Sequence, residues 1–166
     1  MEDQHEALLA IAQIALGLAG FSGVFVAMSQ SGNQVRKHGD TYRLVLLLAT
    51  SLSTLFLSLM PVALDRLGVA DDLLWRVSNA LFFVMLGALL SVVHRWRTLR
   101  REDIRPGETP AVAVGIWVLA GSMLVAELLS AAAVIGPPEG VFVLGLVFLV
   151  AFGSFLFARM LFLWRS

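Results

Sequence analysis

Residues 141–163 read VFVLGLVFLVAFGSFLFARMLFL. These 23 residues hold a single charge, Arg159, four residues from the end of the run. At 1.5 Å per residue a helix of this length covers about 34 Å, enough for the ~30 Å hydrocarbon core of a bilayer. The run has no polar face, so it needs a solvent that accepts apolar side chains all round a helix, and that solvent is lipid.

The same pattern recurs toward the N-terminus. Gly136-Pro137-Pro138-Glu139-Gly140 is a turn. Before it lies a fourth apolar span, about 111–135, and before that the charged stretch 97–110. The third span is framed by Trp75 and Trp96, 21 residues or about 31 Å apart, the spacing of an interfacial belt. The second span covers about 43–64 and the first about 8–28. The sequence therefore predicts an all-α integral membrane protein: one domain over 1–166, five transmembrane helices and short loops. Of the 166 residues 58% are hydrophobic and 14% charged, well below the roughly 25% charge of a soluble domain. The acidic start, Met1-Glu2-Asp3-Gln4-His5-Glu6, lacks the basic region of a secretory signal, so the first span is expected to persist in the mature chain.

Lys and Arg concentrate in cytoplasmic loops. With the N-terminus outside and the C-terminus cytoplasmic, ten of the twelve basic residues fall inside: Arg36, Lys37, Arg43, Arg95, Arg97, Arg100, Arg101, Arg105, Arg159 and Arg165. Arg66 and Arg76 fall outside. A bacterial inner membrane, crossed several times, is the expected location.

The formal net charge is zero, with twelve basic and twelve acidic residues, which gives no reason to expect nucleic acid as a partner. Cysteine is absent, so disulfides, thiolate metal sites and cysteine nucleophiles are excluded. No metalloprotease, serine-hydrolase, P-loop or dinucleotide motif occurs. His5, His38 and His94 lie in separate regions and make no metal or haem site. Neither enzymatic activity nor a cofactor is expected.

Four features carry the functional reading. In the first span Gly17, Gly20 and Gly23 recur every three residues, and Ala19, Gly23 and Ala27 every four. Small residues let two helix backbones approach closely, so this face is either a seam between copies or packing within the chain. Gln13 lies one turn from Gly17, and an amide in lipid must find a partner. In the second span Thr50, Thr54 and Ser58 form a hydroxyl ladder that Pro61 and Asp65 continue. Such a row either lines an aqueous path or satisfies its hydroxyls on the carbonyl one turn back. Pro61 also frees the carbonyl of Leu57. Glu127 is the one acid well inside a span. A carboxylate there costs about 2.5–3.5 kcal/mol or more, which marks it as a candidate site, with Gln13, Arg76, Asn79 and the ladder as candidate partners. The fourth feature is the basic loop. Arg95, Arg97, Arg100, Arg101 and Arg105 suit an anionic lipid headgroup or a cytoplasmic anionic ligand, or simply fix the topology.

Together these residues predict a homo-oligomeric ion channel or pore. Gln13, Thr50, Thr54 and Ser58 would line the path, with Asp65 at the outer mouth and Glu127 as ion site. A stress or anti-phage membrane effector is one use for it. The alternative is a non-conducting scaffold or accessory subunit of another membrane protein. A reporter fused to the C-terminus should read cytoplasmic; a periplasmic signal overturns the five-span orientation.

Overall fold

The computed structural model describes residues 2–30, 38–99 and 110–163, with side chains over 4–24, 44–95 and 114–159. The fold is all-helical: α1 (Glu2–Gln30), α2 (His38–Arg66), α3 (Asp71–Leu99), α4 (Pro110–Ala131) and α5 (Pro138–Leu163). No strand occurs among the described residues. All five helices are long and apolar enough to cross a membrane.

Local sequence explains where these helices start and stop. Pro110 and Pro138 open α4 and α5 at the position where proline's missing N–H leaves no bond unmade. Asp71 and Asp72 occupy the first turn of α3, where the helix dipole favours negative charge. The ends of α2 and α4 are the same device used twice. At α2 the N–H of Val69 donates to the carbonyl of Leu64 and that of Gly68 to Asp65. Gly68 takes a left-handed φ of 73° between them. At α4 Val134 donates to Leu129 and Ala133 to Ser130, and here the left-handed residue is Ala133, with φ 56°. Both are Schellman motifs, which satisfy carbonyls that a helix end leaves open.

The second of these closures corrects the expected fourth span. Helix α4 stops at Ala131, four residues before Ile135. Hydropathy alone carries on through Ala132, Ala133, Val134 and Ile135; the backbone does not, because the left-handed Ala133 and the two closing hydrogen bonds end the helix.

The chain forms two compact units, Met1–Val69 with Leu146–Ser166, and Ala70–Gly145. In the first, α1 packs on α2. The buried stripe of α1 is Leu8, Ala12, Ala15 and Ser22, all but the first small, at the spacing of one helix face. Along α2 the buried set includes Leu44, Leu47, Thr50, Thr54, Leu57 and Ser58. Gly153 of α5 lies against Leu18, Leu47 and Thr50, close enough that a Cβ there would meet them at 3.5–3.9 Å.

In the second unit α3 packs on α4. Phe142, in the second turn of α5, sits edge-on to Trp75 and Phe82 of α3, at centroid distances of 6.0 and 5.8 Å. Phe82 and Phe142 are both fully buried. Trp75, expected as a belt residue, is only 6% exposed and is packed inside the unit. The side chain of Trp96 lies outside the described residues.

A left-handed alanine costs about 1–2 kcal/mol that glycine does not incur. Part of this is offset by the greater freedom glycine has in the unfolded chain. Ala133→Gly should therefore stabilise the protein by about 0.5–1 kcal/mol, read as a higher unfolding midpoint in detergent. An unchanged or lower midpoint contradicts the assignment.

Candidate ion site

The sequence-selected residues separate between the units. Gln13, the glycines of α1, the hydroxyl ladder and Asp65 belong to the first; Glu127 and Arg95 belong to the second.

In the first unit the ladder is real and wholly enclosed. Thr50 and Ser58 are 0% exposed and Thr54 1%. Thr50 Oγ1 donates to the carbonyls of Leu46 and Leu47, both at 2.9 Å. Thr54 Oγ1 donates to Thr50 at 2.8 Å. Ser58 Oγ donates to Leu55 at 3.0 Å, and not to the Leu57 carbonyl that Pro61 leaves open. All three hydroxyls are thus spent on their own helix, the arrangement that lets Ser and Thr sit in an apolar helix. Ser51, beside them, is buried with its Oγ unbonded. Asp65 lies 3.8 Å from His5, which joins the start of α1 to the end of α2.

The glycines of α1 face the other way from its packing stripe. Gly17, Gly20 and Gly23 are exposed, and a Cβ built on any of them meets nothing within 4 Å. Gln13 is exposed on the same side. The intrachain packing of α1 falls instead to Ala12, Ala15 and Ser22. Sequence reading missed that stripe, although its spacing was there to be found. Ala27 is helical, but its side chain lies outside the described residues.

The second unit holds the most unusual polar group. Glu127 is 0% exposed, and neither carboxyl oxygen has a hydrogen-bond partner among the described residues. Because α4 ends at Ala131, Glu127 lies about 6 Å from the helix end, one turn in and shallower than a span to Ile135 implies. Its burial is therefore the work of neighbouring protein. The carboxyl lies over the backbone of α5 at Gly145: a Cβ there would collide with Glu127 Oε1, and would stand 2.7 Å from Phe82 Cζ and 2.9 Å from Cε2. Only glycine fits. Cζ and Cε2 of Phe82 and Oε1 of Glu127 thus crowd the same point above Gly145.

Of the expected partners, Arg76 is half-exposed and pairs with Asp72 at 3.9 Å. Asn79 is fully buried; its Nδ2 donates to Trp75 at 2.7 Å and to Pro138, at the start of α5, at 3.1 Å. Its Oδ1 has no partner. Ser130, one turn beyond Glu127 on α4, is 1% exposed and its Oγ is also unbonded. Buried oxygens are paired in the large majority of cases, and four unpaired ones on facing helices mark this end of the unit.

No family model, curated protein or solved structure matches this chain.

Of the arginine cluster, Arg95 is exposed. Its neighbour His94 meets Trp117 of α4 edge-on at 6.1 Å. Arg97, Arg100, Arg101 and Arg105 lie outside the described side chains. No group of three or more His, Cys, Asp or Glu gathers to hold a metal among the described residues.

Gly145→Ala should destabilise the protein by about 1–3 kcal/mol through overpacking. Part of that loss should return in the Gly145→Ala, Glu127→Ala double variant, where the carboxyl no longer occupies the space. Unfolding in graded denaturing detergent measures the cycle; strictly additive losses would show that the two residues do not meet.

Proposed function

We propose that this chain is a multi-pass protein of a bacterial inner membrane that conducts a small ion as a homo-oligomer, with Glu127 as the ion site. The observation that carries the reading is the complete burial of Glu127 with both carboxyl oxygens unbonded. An acid retained inside a membrane-type helix without a hydrogen-bond partner is strained as structure and useful as a place where a cation stops. The exposed face of Gly17, Gly20 and Gly23, with Gln13 among them, supports assembly through α1. A second copy brings helix backbones into contact there and offers the amide a partner. The arginine distribution supports an orientation with the N-terminus outside and the C-terminus in the cytoplasm. Depolarisation of the cell under stress or phage attack is a use consistent with such a protein, and the arginine loop then offers an anionic lipid or cytoplasmic ligand its contact.

One observation favours a second reading. The hydroxyls of Thr50, Thr54 and Ser58 bond their own helix, and Thr50 faces Gly153 of α5. A path along this ladder would require the hydroxyls to turn outward. If they do not, the chain is a scaffold or accessory subunit that binds another membrane protein and conducts nothing.

Sizing followed by flux measurement separates the two. Wild type in proteoliposomes should pass ions, Glu127→Gln should pass at least about tenfold less, a barrier change of roughly 1.4 kcal/mol, and Gly20→Leu should shift the particle toward the monomer. Equal flux from wild type and Glu127→Gln would make the acid structural. No flux from a folded oligomer would favour the scaffold.

A further inference from the structure

Four unbonded oxygens in the second unit make sense together. Glu127 and Ser130 are three residues apart on α4, hence on one face and about 4.5 Å apart along the axis. Asn79 and Phe82 stand in the same relation on α3, which packs against α4. The Phe82 ring edge and the Glu127 carboxyl meet over Gly145. From that meeting point Asn79 lies one turn toward the start of α3, and Ser130 one turn toward the end of α4. These are the same end of the unit, because Asn79 Nδ2 donates to Pro138, the first residue of α5 and seven residues beyond the end of α4 at Ala131.

The donors nearby are already committed. Asn79 turns its amide nitrogen to Trp75 and Pro138, which aims the acceptor Oδ1 away from both. Ser78, adjacent on α3, donates to Leu74 at 2.8 Å. Arg76 points to Asp72. What remains is two carboxyl oxygens, one amide oxygen and one hydroxyl oxygen, all buried, all unpaired. A proton on Glu127 and the hydroxyl of Ser130 supply at most two donors among these four oxygens. A metal cation satisfies several acceptors at once, and hard oxygen ligands select a hard cation. Charge decides its valence. One carboxylate neutralises one positive charge, whereas a divalent ion would leave a net charge in an apolar interior, at a cost of several kcal/mol.

We propose that Glu127, Asn79 and Ser130, over the backbone floor of Gly145, form a buried site for one monovalent alkali cation of the Na+ class. The inference deepens the ion-site reading above and rests on it for the role of Glu127, yet its test measures binding and needs no flux. In this arrangement Gly145 is a positioning residue. It touches no ion, and its missing side chain sets where the carboxyl lies.

The experiment is thermal unfolding of the purified full chain in detergent, titrated with NaCl while choline chloride holds the ionic strength constant. Stabilisation should follow binding to the folded state, rising by about 1.4 kcal/mol when Na+ reaches tenfold its dissociation constant. Glu127→Gln should abolish the response. Asn79→Leu and Ser130→Ala should each shift it to about tenfold higher Na+, and Mg2+ should give none. If Glu127→Gln does not fold, the wild type alone decides. Labelling of Glu127 by dicyclohexylcarbodiimide, located by peptide mass, should slow about tenfold at the same tenfold excess of Na+. Three results overturn the proposal: labelling and stability that follow pH and ignore Na+, which make the site a proton site; equal protection by Mg2+; or a Na+ response that survives in Glu127→Gln. Loss of flux with an intact Na+ response would sink only the channel reading.

Discussion

A polar group surrounded by apolar matter must find its partner within reach or go without. That constraint shapes every level of this protein. It suits the five long helices of the described residues, since a helix closes its own hydrogen bonds. It explains the two Schellman closures, which settle carbonyls that the helix ends leave open. It explains why Thr50, Thr54, Ser58 and Ser78 all turn back to a carbonyl three or four residues earlier. Against this uniform economy the exceptions are few and local. Three of the residues that break the rule, Asn79, Glu127 and Ser130, occur in one unit.

Much of the architecture was legible in the sequence because hydropathy and helix length are tied by a fixed rise per residue. Five runs predicted five helices, and the described residues hold five that are long and apolar enough to cross a membrane. The misjudged end was that of α4, where apolar composition and backbone geometry disagree. Ala132 to Ile135 are as greasy as the helix before them, yet Ala133 turns left-handed to deliver the chain to Pro137 and Pro138. Composition reports which residues tolerate an apolar setting; it does not report where the backbone stops turning.

The site was legible by residue and not by relation. Glu127 stood out because an acid inside an apolar run is expensive. Asn79 was among its expected partners, whereas Ser130 and Gly145 were not singled out. Ser130 looks like any serine in a membrane-type helix, and Gly145 like any of the chain's 14 glycines. Their importance lies in what stands opposite, and a linear pattern holds no such information. The α1 glycines show the converse. Their spacing invites close packing, but the helix packs through Leu8, Ala12, Ala15 and Ser22 and leaves the glycines outside. Two small-residue faces on one helix cannot be ranked from spacing alone.

The fit of Glu127 over Gly145 also binds the two positions together in inheritance. A lineage that acquires any side chain at 145 must both shorten 127 and move or shrink Phe82, because the three occupy one volume. A lineage that loses the acid removes one of the two obstacles and leaves the ring as the other. A larger residue at 145 should therefore be found only where positions 127 and 82 have both changed.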